Sequence, residues 1–80
     1  MRSKDLVKRM SIAELNRYCE EHPEYRVPDA NEAEMIETEH STFWTCEELG
    51  DRCVTYQKEK QMFRRSHPAF LHSCVVVKDD

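Results

Sequence analysis

The sequence predicts an all-α protein, a small bundle of three to four short helices followed by an extended C-terminal segment or short strand. Three observations predict it. Three capping boxes stand at Ser11/Glu14, Asp29/Glu32 and Thr45/Glu48, each a cap side chain able to accept a free N–H of the first turn while the Glu three residues on reaches back. Apolar residues recur at helical spacing behind each of them. One Gly and three Pro in 80 residues leave few of the turn residues that a β-sandwich needs.

Taken in order, Ser3 caps a first short helix to about Met10, with Leu6, Val7 and Met10 as its apolar residues. Ser11 starts the second, with Met10 and Leu15 in the staple positions and Ile12, Leu15, Cys19 and His22 on one face. It stops near His22, because Pro23 disfavours helical geometry in the residue before it. Residues 23–28 then read as an extended connector whose Tyr25 and Val27 pack inward.

Asp29 caps a helix over residues 30–40, with Ala33, Ile36, His40 and Phe43 along one side and Glu32, Glu34, Glu37 and Glu39 along the other. Ser41 and Thr42 are good cap residues and poor interior ones, which places a break there; one long bent helix is the alternative. Residues 45–66 are expected to form the longest helix. Trp44 and Leu49 sit in staple positions, Cys46, Leu49, Cys53, Tyr56 and Phe63 make the apolar stripe, and Glu47, Glu48, Arg64 and Arg65 suit the helix dipole. A hairpin is the competing reading, with residues 41–46 and 52–57 as strands joined at residues 47–51. The β-branched run Val75, Val76, Val77 is read as a strand. It needs a partner edge: the connector at residues 25–27, a second copy of the chain, or a target protein.

A chain of this length holds a single domain with a thin core, residues 1–10 being loosely ordered and 74–80 an extended tail. With 39% hydrophobic and 35% charged residues, against roughly 25% charged in an average domain, it is expected to be soluble. No apolar run approaches the roughly 20 residues that cross a bilayer, and residues 1–10 lack the apolar core of a signal peptide. A cytoplasmic protein with no membrane partner is therefore expected. The net charge of −4 is distributed as +3 over residues 1–10, −10 over 11–51, +4 over 52–68 and −1 over 69–80, an acidic centre between basic flanks.

No catalytic motif is present: there is no Gly-x-Ser-x-Gly elbow, and one Gly makes no phosphate-cradling loop. An enzyme is not expected. Cys19-x-x-His22 and His72-x-Cys74 are the two close Cys/His pairs from which a zinc site could be assembled. Core packing of small thiols is the stronger reading, so no cofactor is expected and zinc is the alternative. Lys4, Lys8, Arg9, Lys58, Lys60, Arg64 and Arg65 make the basic flanks, but the acidic centre would repel phosphate, so nucleic acid is not the expected partner.

The expected function is that of a non-catalytic protein-binding module. It would act as a regulator or inhibitor that docks the acidic face of Glu32, Glu34, Glu37 and Glu39 on a basic surface of another protein or of a second copy. Small acidic chains of this make-up resemble, at the level of class only, phage-type inhibitors that cover a host protein's binding site. The alternative is a zinc-stabilised nucleic-acid-binding or regulatory module using Cys19, His22, His72 and Cys74 with the basic flanks.

Overall fold

The computed structural model describes residues 1–49 and 52–79, with the side chains of 46–49, 52 and 53 left aside. Strands dominate. In chain order the elements are β1 (Arg2–Asp5), α1 (Ile12–Glu21), α2 (Ala30–Met35), β2 (Thr42–Leu49), β3 (Arg52–Gln57), β4 (Met62–Ser66) and β5 (Val75–Lys78). The all-α bundle is thereby corrected: two antiparallel sheets, β1-β5 and β2-β3-β4, form the body.

The largest correction concerns residues 45–66, which run through β2, β3 and β4 and not through a helix. The hairpin alternative is the one adopted, and a third strand extends it. Thr42 pairs with Gln57, Phe43 with Tyr56 and Trp44 with Thr55, and beyond an irregularity Glu48 pairs with Cys53; Tyr56 in turn pairs with Phe63 and Thr55 with Arg64. The Thr45 hydroxyl caps nothing. It donates to the Val54 carbonyl on the neighbouring strand at 2.9 Å. Phe43, Trp44, Thr45, Val54, Thr55 and Tyr56 are aromatic or β-branched, the residues that fit a pleated surface, and all six are buried. The expected side-chain stripe through Cys46, Leu49 and Cys53 lies outside the described residues.

Consecutive buried residues reflect a sheet covered on both faces. Successive strand side chains point to opposite sides. Trp44, Cys74 and Val76 accordingly join Ile12 and Leu15 of α1, Leu6 and Val27 in one core, while Phe43, Tyr56, Val75 and Val77 join Ala33 of α2 and Ile36 in the other. The two sheets touch at the parallel bridge Phe43↔Ser73. That bridge joins residue 73, just before β5, to β2, with α1 in one core and α2 in the other.

The first expected helix, residues 3–10, is also corrected. Residues 2–5 form β1, which pairs with β5 in the register Ser3↔Val77 and Lys4↔Val76. Pairing continues through Leu6 N–H to the Cys74 carbonyl and through reciprocal Met10 and His72 bonds. The 75–77 strand is present and its partners are intramolecular: β1 on one side, and on the other the connector, at the bridge Arg26↔Val77.

Both local helix starts stand as expected. Ser11 accepts from Glu14 N–H, Asp29 from Glu32 N–H, and both boxes close reciprocally. α1 ends at Glu21 with His22 as its C-cap. α2 has six residues and stops at Met35, short of the expected residue 40. Ile36 turns extended, with φ −70° and ψ 131°, which buries its side chain against Phe43 and Val75.

Candidate functional site

The short α2 and the loop after it redistribute the four expected docking carboxylates. Glu32 leaves the surface. It is 9% exposed, forms a two-pronged ion pair with Arg26 and accepts from the Asp29 N–H. The Arg26 hydrogen bonds hold its carboxyl below the usual carboxylate range, against the opposing pull of burial. Arg26 also reaches Asp79 at 3.0 Å, so this node ties the connector, α2 and the C-terminal strand together.

Glu34, Glu37 and Glu39 are exposed, and among the described residues none has an ion-pair partner. Their backbone is held by neighbours. Thr38 Oγ1 and Glu39 N–H both donate to the Asp5 carboxylate, at 2.7 and 3.3 Å. His40 bonds the Leu6 carbonyl through Nε2 at 3.1 Å, and Lys58 donates from Nζ to Thr38 O at 3.1 Å and from N to Ser41 O at 2.8 Å. Asp5 thus adds a fourth carboxylate beside Glu39, while Lys58 places one ammonium at the edge of the group.

Glu34 also borders a cleft of about 260 Å³ whose other lining residues are Tyr56 and Gln61. Tyr56 is the middle of an aromatic row across β2, β3 and β4, its ring centroid 5.8 Å from that of Phe43 and 4.8 Å from that of Phe63. It is 4% exposed, yet its hydroxyl has no hydrogen-bond partner among the described residues and is not sealed from solvent. Gln61 closes the β3–β4 turn in the left-handed region, φ 51°. Its N–H donates to Lys58 O. Sequence reasoning placed Tyr56 only in a core stripe and gave Gln61 no role. A non-Gly residue at positive φ in a turn carries no local signature, and the cleft forms only once α2 lies over β3.

The four alternative metal ligands are not brought together as a set. Cys19 and Cys74 border the same core, but His22 stacks on Tyr18 with centroids 4.4 Å apart and lies 3.9 Å from Glu24, while His72 Nε2 bonds Ser66 Oγ at 2.7 Å. Among the described residues no three His, Cys, Asp or Glu side chains are placed to hold a metal ion. Burial pushes the Cys19 thiol up and the Cys74 thiol up to about 11, which disfavours the thiolate form that acts as a nucleophile.

The Ser66–His72 pair has the spacing of a nucleophile and its base, yet no carboxylate hydrogen bond orients the imidazole among the described residues. His72 sits edge-on to Trp44, centroids 4.8 Å apart, as a packed polar link between β4 and β5. Burial, and then the charge of Arg9, lowers its pKa from 6.5. A histidine kept neutral in the fold contributes stability that is full above its unfolded pKa and lost as pH falls toward the folded one. Taking the pH from 7 to 5 should therefore lower the urea midpoint of the wild type, and a His72→Gln variant should show a flatter profile. Equal slopes would show that His72 titrates alike in the folded and unfolded chain.

No protein-family model matches the chain, and neither a curated protein nor a solved structure matches it. Among the described residues no helix is long and apolar enough to cross a membrane.

Proposed function

We propose that the protein is a non-catalytic binding module, a regulator or inhibitor that docks a basic surface of a partner protein against Glu34, Glu37 and Glu39. The observation that carries the reading is that these three exposed carboxylates, within six residues, have no ion-pair partner among the described residues, whereas their buried neighbour Glu32 is paired twice over by Arg26. Like charges held close raise the local potential and draw in an oppositely charged surface. Asp5 strengthens that potential and Lys58 trims it at one edge. The loop is pinned to β1 and to the end of β3 by hydrogen bonds, so little ordering accompanies binding.

The test uses a fluorescent peptide of alternating Lys and Arg and two charge-matched variants. Glu34→Lys/Glu37→Lys/Glu39→Lys should weaken binding about tenfold or more, and wild-type binding should fall steeply with salt. Glu20→Lys/Glu21→Lys/Glu24→Lys alters the net charge by the same amount around the end of α1, and should leave most of the affinity. Equal losses in both variants would reduce the effect to net charge and overturn the proposed face.

A further inference from the structure

Deepening that docking reading, and resting on it, we propose that the cleft between α2 and β3 is a pocket for one arginine side chain of the basic partner. The lining supplies what a guanidinium requires. It has five N–H donors in a planar fork and no acceptor; the cleft of about 260 Å³ is lined by Glu34, Tyr56 and Gln61, residues whose side chains carry a carboxylate, a hydroxyl oxygen and an amide carbonyl as acceptors.

The decisive feature is Tyr56. It is 4% exposed and wedged between Phe43 and Phe63, yet its hydroxyl has no partner among the described residues. The ring is buried while the hydroxyl stays open to solvent, so its oxygen is free to accept from a ligand, and the residue lines a cleft with a carboxylate-bearing neighbour. Glu34 repels an anion. Three neighbouring metal ligands are absent among the described residues. What remains is an organic cation. Arginine suits the site better than lysine because its weakly hydrated planar fork can meet several acceptors at once, whereas the lysine ammonium is a compact, strongly hydrated point charge.

The probes are N-acetyl-arginine amide and N-acetyl-lysine amide, titrated into the full chain with backbone amide and tyrosine-ring NMR shifts as readout. The arginine derivative should give saturable shifts at Glu34, Tyr56 and Gln61, and the lysine derivative should bind at least about threefold more weakly. Tyr56→Phe keeps the ring and breaks no hydrogen bond among the described residues, so it should fold as the wild type does. It should bind the arginine derivative more weakly by about tenfold or more, the effect of one hydrogen bond to a charged group. Glu37→Gln, outside the cleft lining, should leave this small probe unaffected.

Absence of saturable shifts at the three positions, equal binding by Tyr56→Phe, or equal binding of the two probes would each overturn the arginine pocket. If the pocket fails while the Lys/Arg peptide still binds in a salt-dependent way that Glu34→Lys/Glu37→Lys/Glu39→Lys removes, the docking face stands without it. If the peptide also binds both charge-matched triple variants alike, both readings fall.

Discussion

Replacing Trp44 by alanine should destabilise the protein by about 3–5 kcal/mol, the range for emptying a fully buried large aromatic site. Against a total of roughly 5–15 kcal/mol for a natural domain, that is enough to leave much of the population unfolded. The reason is positional. Trp44 has no exposed surface and packs with Leu15 of α1 and with Cys74 and Val76 around β5, so β2, β5 and α1 lose a common contact together. Its indole N–H donates to the Met10 carbonyl at 2.8 Å, beside the reciprocal Met10 and His72 bonds. Trp44→Phe keeps most of the packing and removes the indole donor from a carbonyl that still accepts from the His72 N–H, which should cost about 0.5–1.5 kcal/mol. Urea denaturation followed by far-UV circular dichroism measures both, and a loss below about 1 kcal/mol for Trp44→Ala would contradict the assignment of Trp44 to the centre of the core.

Arg26→Met should be the second most damaging change, at about 1–3 kcal/mol. Removing one partner of a buried pair strands the other, at about 3–5 kcal/mol when both are sealed from water. Here the Arg26 side chain is 43% exposed, so solvent screening brings the figure down. Glu32 would be left nearly buried, its carboxylate holding only the Asp29 N–H among the described residues. The pH dependence has a definite sign. Because the folded carboxyl is held low chiefly by Arg26, its contribution is present above the ordinary carboxylate range and is lost as pH falls through the folded value. The wild type should therefore lose stability in acid more steeply than Glu32→Gln does. Identical acid limbs for the two proteins would show that the pair adds nothing to the fold.

These two residues also mark where local sequence is a good guide and where it is not. The boxes at Ser11 and Asp29 were legible because a cap is settled by residues three apart in sequence, and both exist. The Val75, Val76, Val77 run was legible because three adjacent β-branched side chains crowd a helix and fit a pleated strand. Thr45 and Glu48 have the same cap spelling, and there tertiary structure overrides it. Thr45 is wanted by the Val54 carbonyl, and Phe43 and Trp44 before it are strand formers buried on opposite faces. A sheet covered on one side would have alternated apolar and polar residues; this one, packed on α1 and α2, does not. Its buried run was therefore open to a helical reading through Tyr56 and Phe63.

The acidic site was half legible. Glu34, Glu37 and Glu39 stand on the surface as expected, but nothing near Glu32 in the chain announces that Arg26 and, through it, Asp79 will claim it. Tyr56 and Gln61 belong to the cleft only because β3 and its turn lie under α2. That is a long-range placement which the spacing of residues does not encode.

The most direct test of the central claim, that this chain binds a basic partner through the surface of α2 and the loop after it, is the NMR map of the bound Lys/Arg peptide on the wild-type protein. Amide shift changes should concentrate at residues 34–39, Tyr56 and Gln61, with α1 left quiet. Changes concentrated at residues 20–24 or along β4, with residues 34–39 unmoved, would contradict it.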